Sequence, residues 1–331
     1  MNWKIFLPLA FLVACSAGAE PGPDPDPARP PDRFVSLLQK YGFAAVPFRP
    51  NFYIQAVCTL QVEGTDLRAF PDTGAMQSLL TESAAARLGL AFLDKTAAVS
   101  IPGATAQTSR IAIAGNVSAA GIALGPMTNL VFPHRIEDPH DRPDLAIGLS
   151  YLDAHSALID FGRGYLFLHP PGPKLAGIEE VLKQIGYSRI PLLREGNQLF
   201  VDGRINGIPA RLNVDSGTSR CYLYKHWAEA HAIPLNVSTM RIDGVAMNAA
   251  DLYVAGVTNL TIGDRTDPNP EIRAFAYGET NRLEAGFLGS LDFLLLGAIV
   301  DTAGNGLYLP RRAPPPPSPK TGGKTDDRSR E

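Results

Sequence analysis

Apolar and polar residues alternate along most of the chain, and turn residues interrupt the alternation about every 8–12 positions. In residues 55–72 and 198–215, a glycine (Gly64 or Gly207) separates two such runs. An alternating run on each side of a short turn predicts a β-hairpin. The pattern therefore predicts a mainly β protein.

Helical periodicity is confined to short runs, at residues 34–41, 81–88, 178–185 and 224–231. Gly42 and Gly186 each follow one of these runs, and glycine suits the position just after a helix end. We expect a few short helices among the strands.

The chain contains an internal repeat. Four pairs of segments match at offsets of 144 to 141 residues: 38–47 with 183–191, 55–72 with 198–215, 97–113 with 238–254, and 147–160 with 288–301. One copy covers about residues 33–169 and the other about 177–310. The repeat predicts two β-rich lobes of equal size, with boundaries at 33–173 and 174–312.

Composition is that of an ordinary globular protein, with 45% hydrophobic and 19% charged residues among 331. A chain of this length can bury one large core or two smaller ones. The formal net charge is -3, so there is no basic surface to suggest a nucleic-acid partner.

The N-terminus has the features of an export signal. Lys4 precedes an apolar run, residues 5–14, that is too short to span a bilayer. Residues 12–15 resemble a bacterial lipobox, in which Cys15 is the lipidated residue; a plain signal peptide is the alternative. Ser16 after the cysteine resembles the outer-membrane sorting pattern. We expect residues 1–15 to be a lipoprotein signal peptide and the protein to be anchored in the outer membrane, facing the periplasm.

Two segments are too polar and proline-rich to form a core. Residues 16–32 are expected to be a tether, and residues 313–331 a disordered tail. The two remaining cysteines, Cys58 and Cys221, have Val201 and Ser78 at the equivalent repeat positions. They are expected to be separate buried thiols, and a disulfide between them is left open.

An Asp-Ser/Thr-Gly tripeptide occurs once in each repeat. Asp72-Thr73-Gly74 and Asp215-Ser216-Gly217 each follow a hydrophobic strand. A single copy is weak as a signal, because these residues are common in turns. Two copies at equivalent positions are a stronger signal. Each copy is followed about 75 residues later by an apolar-apolar-Gly element, at Gly148 or Gly289.

This ensemble resembles the aspartic peptidases, both the two-lobed pepsin-like kind and the single-lobe retropepsins. The resemblance implies an all-β, two-lobed fold with a pseudo-twofold repeat and catalytic carboxylates at Asp72 and Asp215. Two carboxylates held close together share a proton, because like charges raise one pKa strongly. The ionised member activates a water and the protonated member polarises the scissile carbonyl. The implied reaction is hydrolysis of extended polypeptides, with no cofactor and no metal.

The resemblance also assigns roles to the neighbouring residues. Thr73 and Ser216 would cross-link the two loops, Gly74 and Gly217 would permit tight turns, and Ala75 and Thr218 would line the floor. Gly103 and Gly244 mark hairpin tips that would act as flaps. No clear counterpart of the pepsin flap tyrosine lies near Gly103.

Other chemistries have less support. The six histidines show no metalloprotease spacing, and His134 and His140 are interpreted as part of a solvated polar loop. No Gly-x-Ser-x-Gly elbow is present. Two alternatives stay open: a non-catalytic lipoprotein that binds a peptide or protein in the same cleft, and lobes that pair between chains. We expect a monomer, because a linker gives the two lobes a high effective concentration.

Overall fold

The computed structural model describes residues 5–6, 11–12, 32–100, 107–132, 143–172, 176–244, 247–276 and 283–311. The strands and helices of the N-terminal part and the first repeat are β1 (Ile5–Phe6), β2 (Phe11–Leu12), α1 (Arg33–Lys40), β3 (Ala44–Pro47), β4 (Arg49–Pro50), β5 (Ala56–Val62), β6 (Thr65–Asp72), β7 (Ser78–Thr81), α2 (Glu82–Arg87), β8 (Phe92–Ser100), β9 (Gln107–Ala119), β10 (Ile122–Phe132), β11 (Leu145–Gly148), α3 (Leu149–Ala154), β12 (Leu158–Asp160) and β13 (Tyr165–Leu168).

The second repeat follows the same order. Its elements are α4 (Ile178–Gln184), β14 (Tyr187–Pro191), β15 (Leu193–Glu195), β16 (Gln198–Ile205), β17 (Ile208–Val214), β18 (Tyr222–Tyr224), α5 (Lys225–Ala230), β19 (Leu235–Gly244), β20 (Met247–Ala255), β21 (Leu260–Ile262), β22 (Arg265–Asp267), β23 (Arg273–Phe275), β24 (Gly286–Leu288), α6 (Ser290–Leu296), β25 (Ile299–Asp301) and β26 (Gly306–Pro310). Strands dominate both copies, so the predicted mainly β architecture is confirmed.

Both predicted hairpins form. Strands β5 and β6 pair around Glu63 and Gly64, and β16 and β17 pair around Asn206 and Gly207. All four turn residues have positive φ, between 49° and 78°. A two-residue turn with positive φ at both positions matches the twist of the flanking strands, which is why glycine is favoured there.

The first lobe is a closed barrel. Its sheet runs in the order β8-β9-β10-β7-β11-β6-β5-β4, and β9 also pairs with β5, which joins the two sides. Strand β9 is long enough to do this, because its start pairs with β8 and its end pairs with β5.

The second lobe repeats this arrangement with one break. Its order is β19-β20-β23-β18-β24-β17-β16-β21-β22. Strand β20 pairs with β19, and the separate strand β21 pairs with β16, so β20 and β21 together take the place of the continuous β9.

A six-stranded sheet joins the two repeats, in the order β14-β26-β25-β12-β13-β3. Strands β12 and β25 are equivalent in the repeat and pair with each other, with Ile159 opposite Val300. A separate apolar cluster under this sheet takes Phe34 and Phe167 from the first repeat, and Leu182 and Ile299 from the second. The repeats are thus bound together by backbone pairing as well as by burial.

The short strands near the N-terminus extend the two lobes, because β1 pairs with β8 and β2 pairs with β19. The rest of residues 1–31 lie outside the described residues, as do residues 173–175 and 312–331. The signal peptide, the tether, the tail and the lobe boundaries therefore stay predictions. None of the helices in the described ranges combines the length and apolar character needed to cross a bilayer.

Candidate active site

Both motif aspartates lie at the end of a central strand. Asp72 is the last residue of β6, and Asp215 directly follows β17. Each strand has a parallel neighbour from the apolar-apolar-Gly element, with Gly148 opposite Asp72 and Leu288 opposite Val214. In each lobe, the aspartate strand and its parallel neighbour end at the same level. The turn that follows is therefore held in a fixed position relative to the sheet.

Each aspartate organises its own turn. Oδ1 of Asp72 accepts the backbone N–H groups of Gly74 (3.1 Å) and Ala75 (3.0 Å). Oδ1 of Asp215 accepts those of Gly217 (2.9 Å) and Thr218 (3.2 Å). This is the Asx-type turn that either motif would form alone.

The two loops are cross-linked by reciprocal hydrogen bonds. The hydroxyl of Thr73 accepts from the N–H of Ser216 (2.9 Å) and donates to the carbonyl of Val214 (2.7 Å). The hydroxyl of Ser216 accepts from the N–H of Thr73 (3.0 Å) and donates to the carbonyl of Pro71 (2.8 Å). The structure thus brings the two hydroxyls into the arrangement that the resemblance implied.

The glycines of the two motifs are required by close approach. A Cβ atom on Gly74 would lie 2.3 Å from Cγ of Asp215, and one on Gly217 would lie 2.4 Å from Oδ1 of Asp72. Each carboxyl group therefore lies against the glycine of the opposite lobe. Any side chain at either glycine would displace the opposite carboxyl group.

Burial raises the pKa values of both carboxyl groups. Both aspartates have no exposed surface. Loss of hydration raises the pKa of Asp72, against the pull of the Gly74 and Ala75 N–H groups. Loss of hydration, followed by the charge of Asp72, raises the pKa of Asp215 well above its ordinary value. The two groups interact directly, so they titrate as a pair that retains a proton toward neutral pH.

The outer oxygens of the pair are not engaged by protein groups. Oδ2 of Asp72 and Oδ2 of Asp215 have no hydrogen-bond donor among the described residues. Such an oxygen pair is available to a shared proton and to a water or carbonyl oxygen of a substrate.

A family model for aspartyl proteases matches this chain twice, at residues 58–151 and 201–298. Each match contains one Asp-Ser/Thr-Gly motif and its parallel partner strand. The chain belongs to the aspartyl protease family. The predicted two-repeat architecture of that family is thereby confirmed.

A solved structure that is similar to this chain is an aspartic proteinase from Irpex lacteus, with 11% sequence identity and a TM-score of 0.46. That match covers 82% of this chain and 98% of the other. No curated protein matches the chain.

The helices after the partner strands support the two aspartate loops of this aspartyl protease. The N–H of Leu149, at the start of α3, donates to the carbonyl of Ala75 (2.7 Å), and that of Ser290, at the start of α6, donates to the carbonyl of Thr218 (2.9 Å). Ala75 and Thr218 are both fully buried.

Two residues that support the loops were not predicted from the sequence. The hydroxyl of Ser290 donates to the carbonyl of Ser216 (2.8 Å). The side-chain amide of Gln55 lies 3.5 Å from the carbonyl oxygen of Gly217 in the other lobe. The sequence shows Gln55 only as a repeat partner of Gln198, which gives no sign of a contact between lobes.

Of the other residues named from the sequence, Gly244 lies within the described part of the chain. Gly244 ends β19 and lies opposite Met247 at the tip of the β19–β20 hairpin. Gly103, Cys15, His134 and His140 lie outside the described residues.

Cys58 and Cys221 are both buried and free, which matches the expected state. Burial raises the pKa of Cys58 to about 12 and raises that of Cys221 as well, so neither is reactive at neutral pH.

Within the described ranges, His, Cys, Asp and Glu side chains do not gather in groups of three or more that could bind a metal ion.

Proposed function

We propose that this aspartyl protease is an endopeptidase that hydrolyses extended polypeptides with a water activated between Asp72 and Asp215. The proposal is carried by one observation: two buried carboxyl groups, one from each lobe, interact directly and both have raised pKa values. Burial also raises the pKa values of Asp160 and Asp292, but each of these lies beside an arginine, whereas Asp72 and Asp215 act on each other.

The mechanism follows from the shared proton. The ionised carboxylate accepts a proton from the water as its oxygen attacks the scissile carbonyl carbon. The protonated carboxyl group donates to the carbonyl oxygen, which becomes a hydroxyl of the tetrahedral intermediate. The carboxyl group that received the water proton then gives it to the leaving nitrogen. The C–N bond breaks as the carbonyl re-forms, and a hydroxyl of the intermediate returns its proton to the other carboxylate. The fixed turns of Gly74 and Gly217 keep the two groups in place, so little reorganisation is needed.

The substrate class follows from the shape of a site built from strand ends. We propose that an extended chain lies between the lobes and is held by backbone hydrogen bonds, as strand-binding proteins hold their ligands. The hairpin formed by β19 and β20 is the described candidate for a flap.

The test is cleavage of a peptide library by the chain lacking residues 1–31. Asp72→Asn and Asp215→Asn should each lower kcat by about 10²–10⁴-fold, because each removes the acid or the base. Asp160→Asn is the matched control, since Asp160 is also fully buried but lies in the sheet that joins the repeats. Its activity should stay close to wild type.

Hydrolysis that survives both active-site changes would exclude this mechanism. A wild-type protein that hydrolyses no peptide but retains one from the library would favour a binding role for the cleft.

The place of action is a separate proposal. We propose lipid attachment at Cys15 and anchoring in the outer membrane, supported by the residues before and after the cysteine. Labelled fatty acid should be incorporated into the wild-type chain and not into Cys15→Ser. Equal labelling of both chains would contradict it.

We also propose that the soluble chain is an active monomer. The reciprocal bonds between Thr73 and Ser216 already join two loops of the same chain. Light scattering on the active fraction should give the mass of one chain, and an obligate dimer would contradict this.

A further inference from the structure

Gln55 is a buried amide that reaches from the first lobe to the second. It is 3% exposed and immediately precedes β5. Its Nε2 lies 3.5 Å from the carbonyl oxygen of Gly217, a residue of the second motif.

Neighbouring groups determine the orientation of this amide. Oδ1 of Asn51 accepts the backbone N–H groups of Tyr53 (3.0 Å) and Gln55 (2.9 Å). Since a backbone N–H can only donate, the other end of the Asn51 amide must be its NH₂ group, and this donates to Oε1 of Gln55 (3.1 Å). The NH₂ group of Gln55 is then left to face the carbonyl of Gly217, which can only accept.

The carbonyl of Gly217 belongs to a peptide unit that contacts the catalytic pair. The N–H of the same unit, on Thr218, donates to Oδ1 of Asp215 at 3.2 Å. A hydrogen bond into the oxygen of a peptide polarises it and makes its N–H a stronger donor. Gln55 therefore lies at the start of a chain of dipoles that ends on the carboxylate of Asp215.

In the part of the chain that the structure describes, the first motif has no equivalent support. Gln198 is the repeat counterpart of Gln55, at an offset of 143. It lies in β16 opposite Glu195 and is partly exposed. Within the described residues, its side chain forms no hydrogen bond to the Asp72 loop. The contact between lobes thus distinguishes Asp215 from Asp72.

We propose that Gln55 is a positioning residue that acts from the first lobe on the Asp215 loop of the second. The inference rests on the proposed peptidase function. Gln55 holds the Gly217–Thr218 peptide in register and strengthens the Thr218 donor, which opposes the repulsion that Asp72 exerts on Asp215.

The charges around Asp215 determine the direction in which loss of the Gln55 donor changes its protonation. Asp72 acts on Asp215 by repulsion. In the same lobe, Arg220 and Arg273 pair with Glu271, and Asp292 lies beside Arg220. The Gly217 and Thr218 N–H groups oppose the repulsion, and weakening the Thr218 donor makes Asp215 easier to protonate.

Three variants test the proposal. Gln55→Leu keeps the approximate shape and removes the donor, and Gln55→Glu restores a donor only when the new carboxyl group is protonated. Gln198→Leu is the matched control from the other repeat. kcat and KM are measured from pH 3 to 8 on one peptide substrate, and the melting temperature over the same range.

For Gln55→Leu, we expect kcat to fall about fivefold to tenfold, the effect of one lost hydrogen bond, with little change in KM. Its pH profile should move to higher pH, because loss of the Gln55 donor makes Asp215 easier to protonate. Gln55→Glu should approach wild type at the acid end and lose activity as the new carboxyl group ionises. Gln198→Leu should match wild type.

A purely structural role predicts something different: equal losses at every pH, a lower melting temperature throughout, and no recovery of Gln55→Glu in acid. That pattern, or an unchanged Gln55→Leu, would overturn the proposal.

If the wild type hydrolyses nothing, the peptidase function fails but the inference is still tested. Gln55→Leu should then shift the pH dependence of the melting temperature only when Asp215 is present, and not in an Asp215→Asn background; no shift in either background would overturn it.

Discussion

At the scale of single residues, the raised pKa values of the two carboxyl groups make stability depend on pH. A folded-state pKa above the unfolded value means that the folded protein binds protons more tightly. The stabilisation from this source is fully present below the unfolded pKa, near 3.8 for aspartate. It is lost as pH rises through the raised folded values, because ionisation then places charge in a buried site.

The first prediction follows from this sign. Wild-type unfolding free energy should decrease between about pH 4 and pH 8, and the decrease should be smaller in Asp215→Asn, which removes one ionisable member of the pair. Each unit of pKa shift corresponds to about 1.4 kcal/mol. Urea unfolding at a series of pH values measures this, and Asp202→Asn, an exposed aspartate, is the control. Parallel curves for wild type and Asp215→Asn would contradict the raised pKa values.

Asn213 is a second residue with a clear energetic consequence. It is 1% exposed, lies between Phe200 and Phe287 in neighbouring strands, and has no hydrogen-bond partner for its side-chain amide among the described residues. Its repeat counterpart is the apolar Phe70. An unsatisfied buried amide costs about 1–3 kcal/mol.

We therefore predict that Asn213→Leu raises the free energy of unfolding by about 1–2 kcal/mol. Asn129→Leu is the matched control, because Asn129 is equally buried and only its Oδ1 lacks a partner among the described residues, while its NH₂ group donates to the carbonyl of Met127 (3.0 Å). That change should not stabilise the protein. Equal effects at the two positions in denaturant unfolding would contradict the prediction.

At the scale of elements, the two active-site loops depend on each other. Thr73 and Ser216 each donate and accept across the boundary between the lobes, so removal of one hydroxyl leaves groups of the other loop unpaired. Ser290, at the start of α6, adds a third hydroxyl that holds the carbonyl of Ser216.

A double-mutant cycle should detect this dependence. Thr73→Val and Ser216→Ala should each cost about 1–3 kcal/mol of stability, and their coupling energy should fall in the range of about 0.5–3 kcal/mol found for contacting residues. Thr81→Ala, which removes the cap of α2, is the control partner for Ser216→Ala and should be additive with it. Additivity of Thr73→Val with Ser216→Ala would argue against a shared network.

Local patterns predicted the elements of this fold better than its long-range pairings. The hairpins at Gly64 and Gly207 and the short helices ending near Gly42 and Gly186 are encoded in consecutive residues, and they form as expected. The pairing of β12 with β25 and the contact of Gln55 with Gly217 join residues about 140 or more positions apart. Alternation within a strand shows which residues share a face, not which strand lies beside it. The motif pair was accessible from sequence only because the repeat aligned its two copies.

At the scale of the whole molecule, the repeats are held together by contacts that differ from one side to the other. Arg163 of the first repeat donates to the hydroxyl of Tyr187 in the second (2.8 Å). Arg194 of the second repeat forms a two-point ion pair with Asp153 of the first, at 2.8 and 3.0 Å. The β12–β25 pairing joins equivalent strands of the two repeats and is nearly symmetric. Each of these polar contacts instead joins residues that are not repeat counterparts, so two copies of the same repeat could not form it.

This asymmetry predicts the behaviour of the separated repeats. Fragments 32–172 and 176–311, expressed alone, would each expose an unpaired strand edge, β12 or β25, and half of the apolar cluster that contains Phe167 and Ile299. Exposed edges and apolar surface favour aggregation. Neither fragment alone should form a cooperatively folded monomer.

Together, the two fragments should form a one-to-one complex, because only unlike pairing brings Arg163 to Tyr187 and Arg194 to Asp153. Native mass spectrometry of the co-expressed fragments measures the stoichiometry, and Arg194→Met should weaken the complex relative to the exposed control Arg204→Met. The complex should also regain peptide hydrolysis, since it restores Asp72 opposite Asp215. A stable, folded monomer of fragment 32–172 would show that the shared sheet is dispensable. Preferred like-with-like dimers would show that the polar contacts do not select the partner, and that the pairing of equivalent strands alone is sufficient to assemble the lobes.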